Sequence, residues 1–220
     1  MLELIQPISK RDQVVRAMKD AILSGTIQPG ASLVESKLAQ QLGAGVPLIR
    51  EALIELEHQG FVQRTPYKGT TVTTLSPVDV RNIFALRVEL EALAIEWARP
   101  NITEAEVHYL REVIQKMEDA AKVLDLPRFY ENDLAFHRKI WSLSGNPYLT
   151  HTLERLVIPL FAFFLMKTSR QHDSYLESAC THAKIVEAIP TATPTELRDI
   201  FRALLVSWKD DMVQLLFSKE

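Results

Sequence analysis

Asp133 and His137 stand four residues apart, a spacing that projects a carboxylate and an imidazole from one face of a helix. His182 stands alone in a later helical stretch, with Ile185, Val186 and Ile189 on its apolar side. A carboxylate and two imidazoles on neighbouring helices can ligate a divalent transition metal and leave positions open for water or a ligand. The same residues also have an ordinary reading: Asp and His at this spacing are commonly an exposed pair, and a single His is commonly a satisfied core residue. Arg87 lies four residues before Glu91, the spacing of an internal ion pair on a helix.

A second chemistry lies in residues 35–54, ESKLAQQLGAGVPLIREALI. Glu35 to Leu42 is a helix-forming run with Leu38, Ala39 and Leu42 at helical spacing. Gly43-Ala44-Gly45 breaks it, because glycine reaches backbone angles closed to other residues. Pro47 suits the first turn of a new helix, where its missing N–H costs nothing. In that second helix Ile49, Ala52, Leu53 and Leu56 form a buried stripe, and Arg50, Glu51 and Ile54 face outward. Two helices crossing at a small alanine and turning at a glycine describe a helix-turn-helix, whose second helix enters the major groove of DNA. An ordinary helical hairpin is the alternative for this stretch alone.

The surrounding elements fit the first of these. Ser9 is placed to cap a helix running to about Ser24, with Val14, Val15, Met18, Ile22 and Leu23 on one side. Gln28-Pro29-Gly30 reads as a tight turn. After Gly60, the segments 61–64 and 70–73 alternate as short strands around Thr65-Pro66-Tyr67-Lys68-Gly69. Three helices and a two-stranded ribbon make a winged helix. Beyond Leu75-Ser76-Pro77 the pattern is helical throughout, with expected helices over 77–98, 103–124, 127–144, 147–170, 173–189 and 194–217. The expected architecture is mainly α, with a winged helix-turn-helix domain at 1–75 and an all-helical bundle at 76–220.

Composition sets limits. With 47% apolar and 24% charged residues, the 220-residue chain is that of a globular protein rather than a disordered one. The single cysteine, Cys180, permits no intrachain disulfide and is expected to be a small buried apolar residue. Met1 to Lys10 lacks the cationic start and apolar run of a signal peptide, and Val157–Met166 is about half the length that spans a bilayer. A cytoplasmic protein with no membrane partner is expected. The net charge is −3, and residues 1–75 carry eight Lys/Arg against seven Asp/Glu. A dedicated nucleic-acid domain is usually more basic, so the expectation of DNA binding rests on the motif.

The segments AILSGTIQPGASLVESKLAQQLG, IREALIELEHQGFV and PYKGTTV, which lie within residues 12–74, resemble the N-terminal domain of GntR-family transcription regulators. ALRVELEALAIEWA, NDLAFHRKIWSLSGNPYL and THAKIVEAI resemble the C-terminal sensing (FCD) domain of the FadR-type branch. The resemblance implies a homodimeric regulator, not an enzyme, that binds double-stranded operator DNA and answers to a small carboxylate-bearing effector. It implies that Arg50 contacts DNA; Ser36, Lys37, Gly45 and the wing residues Lys68, Gly69 and Thr70 complete the expected DNA surface. It implies a metal ion (zinc, nickel or manganese) on Asp133, His137 and His182, and effector binding by Arg87.

Two departures stand out. The family usually enters its recognition helix through Ser-Arg-Thr-Pro, where this chain has Gly45-Val46-Pro47-Leu48. Many sensing domains carry a third histidine near the middle of the last helix, where this chain has Phe201-Arg202-Ala203-Leu204-Leu205. Two other functions are therefore kept open: a ligand-binding dimer that has lost specific DNA reading, and a metal-dependent enzyme using a metal-bound water.

Overall fold

The computed structural model describes residues 9–67, 69–168 and 172–217, which form two compact units, one ending at Thr74 and one beginning at Leu75. In the first unit, helix α1 (Lys10–Leu23) begins where the Ser9 hydroxyl accepts a hydrogen bond from Asp12 N, and it buries Val14, Val15, Met18 and Ile22. A two-residue strand, β1 (Ser32–Leu33), precedes α2 (Glu35–Leu42). Helix α2 stops at Gly43 in the left-handed conformation, φ +60°, the geometry that favours glycine just past a helix end. Helix α3 (Val46–His58) starts with Pro47 in its first turn, and its Ile49, Ala52, Leu53 and Leu56 are fully buried.

Strands β2 (Val62–Thr65) and β3 (Gly69–Val72) pair antiparallel, with Val62 opposite Val72 and Thr65 opposite Gly69. Each is displaced by one residue from the expected segment. Phe61 and Thr73, expected in the strands, instead belong to the core at the base of the wing, where Thr73 Oγ1 donates to the Gly60 carbonyl at 2.6 Å. Strand β1 joins the other edge of β3, so the sheet has the order β1-β3-β2. Two residues are too few to show an alternation, which is why this strand is silent in the sequence.

The second unit comprises α4 (Pro77–Ala98), a short 3₁₀ turn (Arg99–Asn101), α5 (Glu104–Lys122), α6 (Leu126–Leu143), α7 (Pro147–Thr168), α8 (His172–Ala188) and α9 (Pro194–Phe217). Ser76 and Asp79 cap α4 reciprocally, the N-terminal device that satisfies two free backbone donors at once. The similar Thr103–Glu106 pattern is half used: Thr103 accepts from Glu106 N, while the Glu106 carboxylate turns to Lys139 at 2.7 Å. Helix α4 packs against α6, α7 and α9, and α5 packs against α6 and α8.

Helix α7 is longer than the apolar stretch singled out in the sequence, and its 22 residues reach the length and hydropathy of a membrane span. Its Leu153, Val157, Leu160, Phe161, Ala162 and Phe163 are buried against neighbouring helices, which is the place of a core helix. Cys180, expected inside, is exposed. Trp141 is fully buried, whereas Trp97 is 42% exposed.

Candidate functional site

Two buried charges on α4 organise the helical unit. Arg87 and Glu91 are one turn apart and are 6% and 0% exposed, because the stripe that carries them also carries the core residues Phe84, Val88, Ala92 and Ile95. Arg87 Nε donates to Glu91 Oε2 at 3.2 Å. The guanidinium also lies over the Phe161 ring, 4.7 Å from its centroid, and the Phe84 ring at 5.3 Å. Such cation–π contact suits a weakly hydrated planar cation.

The other Glu91 oxygen, Oε1, lies 3.1 Å from His137 Nδ1. Through this carboxylate Arg87 is joined to the expected ligand set. His137 and Asp133 come from α6, and His182 comes from α8. His182 Nε2 is 3.0 Å from His137 Nε2 and 3.1 Å from Asp133 Oδ1, and His137 Nε2 is 3.9 Å from Asp133 Oδ1. The three expected ligands are thus gathered within 4.8 Å of one another.

Proton placement shows what this arrangement lacks. The Ser178 carbonyl can only accept, so His182 Nδ1, 2.7 Å away, carries a proton. Burial pushes the His137 pKa down, and Glu91 and Asp133 offset only part of that, so this ring is neutral and has one proton to place. Burial pushes Glu91 up, but Arg87 and His137 outweigh it and hold the carboxyl down at about 2. Burial likewise raises Asp133, and His182, His137 and Arg87 bring it below the ordinary range. Both carboxylates are therefore ionised.

A proton on His137 Nε2 would leave a bare Nδ1 facing the ionised Glu91. With His182 neutral too, a proton on Nδ1 would leave two bare Nε2 atoms 3.0 Å apart beside the Asp133 carboxylate. No neutral tautomer satisfies every contact. Asp133 Oδ1, His137 Nδ1 and Glu91 Oε1 are correspondingly buried without a well-directed hydrogen bond. A divalent cation taken by two Nε2 atoms and one carboxylate oxygen removes the conflict, with Glu91 and the Ser178 carbonyl holding the two Nδ1 protons. The donor set fits a metal.

These residues open onto a cavity of about 60 Å³. Arg87, Asp133, His137 and His182 line one end, and Leu160, Phe164, Phe201, Leu204, Leu205 and Trp208 line much of the rest. Phe201 and Leu205 of α9 stand where a third histidine was sought, and the Phe201 ring lies 6.5 Å from the His137 ring. The sequence reading missed Glu91 as a partner of His137. Its signal was an acid inside an otherwise apolar stripe.

In the first unit, Ser36, Lys37, Gly45 and Arg50 are all exposed on α2, the turn and α3. Arg50 is held by Glu35, with Nη2 2.8 Å from Oε2 and Nε 3.2 Å from the same oxygen. The hydrogen bond from Arg50 draws the Glu35 carboxyl below its usual range. At the wing, Gly69 is exposed with φ +88°. Thr70, expected on the DNA surface, is only 6% exposed, since alternation along β3 turns its side chain inward. Lys68 lies outside the described residues.

Comparison with known proteins agrees with this division. Residues 82–207 match the FCD domain, and residues 10–72 match the bacterial regulatory proteins of the gntR family. The chain is similar to the HTH-type transcriptional regulator McbR of Escherichia coli, with 29% identity over 144 residues, 66% of this chain and 65% of McbR. It is also similar to the HTH-type transcriptional repressor RspR of the same organism, with 27% identity over 151 residues, 69% of this chain and 65% of RspR. The matches thus span just under two thirds of these relatives' own length. The solved structure of E. coli McbR/YncC has the same fold, with a TM-score of 0.71 at 22% identity, covering 94% of this chain and 99% of that one. With one family model covering the helical unit and the other the winged helix, the chain belongs to the gntR family of bacterial regulatory proteins, in the group that carries an FCD domain.

Proposed function

We propose that this protein is a transcription regulator, not an enzyme, acting in the cytoplasm as a homodimer on two-fold operator DNA. Residues 1–75 are its DNA-binding domain, and residues 76–220 bind the effector and the partner subunit. A small carboxylate bound in the helical unit sets its affinity for the operator. The observation that carries this reading is the meeting of Asp133, His137 and His182 with a buried arginine at one end of a cavity. When bound there, a zinc, nickel or manganese ion would supply a Lewis-acidic anchor for an effector oxygen. Arg87 supplies the second anchor. Its Nε is engaged by Glu91, and its two Nη groups remain for the effector carboxylate, to which a guanidinium is well matched. The effector regulates to the extent that it binds one arrangement of the dimer more tightly than the other.

Ser36, Lys37, Gly45, Arg50, Lys68 and Gly69 form the proposed DNA surface. The test is binding of the purified chain to DNA from upstream of its own gene, followed by fluorescence anisotropy at low and moderate salt. Arg50→Ala is expected to weaken specific binding about 10- to 100-fold, since a bidentate arginine–guanine pair discriminates by roughly 1–3 kcal/mol. Equal affinity of the variant for operator and random DNA accompanies that loss. Absence of any binding at low salt by the natural chain sinks the DNA reading.

A second reading, a ligand-binding dimer without specific DNA recognition, is favoured by one observation. Gly45 and Val46 offer no side-chain donor at the exposed start of α3, where the family places Ser and Arg. The double substitution Gly45→Ser, Val46→Arg separates the two. A large gain in operator affinity would favour the second reading, and little change would favour the first.

A further inference from the structure

We infer that the effector is a monocarboxylate with a short apolar tail, rather than a dicarboxylate. This inference rests on the reading of the cavity as an effector site, and it follows from how charge and donors are distributed around it. Among the described residues lining the cavity, Arg87 is the one permanent cation. Its charge is balanced by Glu91. A divalent ion on Asp133, His137 and His182 would leave the cluster one unit positive, enough for a single carboxylate. Without the ion, the two carboxylates and one guanidinium leave it one unit negative, and an anion is repelled.

The far end of the cavity could not hold a second charge. Its lining there is Leu160 and Phe164 of α7 and Leu204, Leu205 and Trp208 of α9. A second carboxylate there would be desolvated with no cation to pair it, which is strongly unfavourable. Of the two hydroxyls in the lining, Ser178 and Thr181, the second is engaged twice. Thr181 Oγ1 donates to the Glu177 carbonyl at 3.0 Å and accepts from Trp208 Nε1 at 3.3 Å. The indole and the threonine hydroxyl thus engage each other. A methylene chain laid along this wall gains from burial at every step until a space of this size is filled.

The test is titration calorimetry of the full chain, with zinc supplied, against acetate, butyrate, hexanoate, succinate and malate. Butyrate is expected to bind more than tenfold tighter than acetate, at about fourfold per added methylene, and at least tenfold tighter than succinate or malate. The gain levels off by hexanoate. Leu204→Gln, at a half-buried position of the wall, is expected to erase the difference between acetate and butyrate while leaving acetate binding in place. Succinate or malate binding as tightly as butyrate overturns the inference but leaves the effector reading standing. So does acetate equalling butyrate in the unsubstituted chain. If none of the five binds, the effector reading falls as well.

Discussion

Arg87→Met is expected to destabilise the helical unit by about 3–5 kcal/mol, the cost of leaving a buried charge without its partner. For a chain of this size that corresponds to a melting point roughly 10 °C lower, measured by scanning calorimetry on metal-stripped protein. The reason lies with the residue that stays behind. Glu91 is fully buried and accepts from Arg87 Nε. Methionine fills the space between the Phe84 and Phe161 rings that the guanidinium occupied, but it brings no charge and no donor. The double substitution Arg87→Met, Glu91→Leu is expected to regain much of the loss, because removing a whole buried pair costs far less than removing half of it. A loss below 1 kcal/mol for the single variant would mean that the pair is solvated.

The same pair sets an acid limit. The folded pKa of Glu91, about 2, lies below its ordinary value of 4.5. Its contribution is therefore complete above pH 4.5 and is lost as the pH falls from there towards 2. His137, also shifted down from 6.5, acts in the same direction at higher pH, because the unfolded chain takes up that proton first. Metal-stripped protein is expected to lose stability from about pH 6.5 downwards, in two stages. Glu91→Gln is expected to flatten the lower stage.

Much of this was legible in the sequence, and what was not has physical causes. The helix ends were written in local chemistry: Ser9, Ser76 and Pro77, Thr103 and Gly43 each act on their own backbone. The gathering of Asp133, His137 and His182 was what the family resemblance implied; spacing alone joined only Asp133 and His137, one helix turn apart. Glu91 was harder. Its spacing from Arg87 announced a pair, but nothing local reveals that the other carboxylate oxygen meets a residue on α6. Glu35 and Arg50 were separately visible, yet their pairing depends on how α2 crosses α3. Thr70 was assigned to the surface from the wing motif, but it stands two residues before Val72 and shares the inward face of β3. Cys180 was expected inside from its residue type, and its place on α8 puts it outside.

Glu91→Gln is expected to weaken zinc binding by about 10- to 100-fold, the usual effect of removing an acceptor that orients a ligating histidine. Competition with a chromophoric chelator would measure it. Glutamine keeps the shape of the side chain, so the change isolates charge. In the natural chain Glu91 Oε1 stands 3.1 Å from His137 Nδ1, drawing the ring proton to that nitrogen and leaving Nε2 for the metal. Without the negative charge the imidazole is a poorer donor of its lone pair, and the alternative tautomer, protonated at Nε2, competes with the ion. His182→Ala, which removes a ligand atom outright, should lose more than this. Asp133→Asn should also lose more, because it removes the negative charge in direct contact with the ion. If Glu91→Gln retains its fold by circular dichroism and its full zinc affinity, the carboxylate has only a structural role towards Arg87. If affinity falls as expected, Glu91 and His137 are energetically connected. An effector carboxylate held jointly by Arg87 and the ion would then make effector and metal each bind more tightly in the presence of the other, by the same factor in both directions.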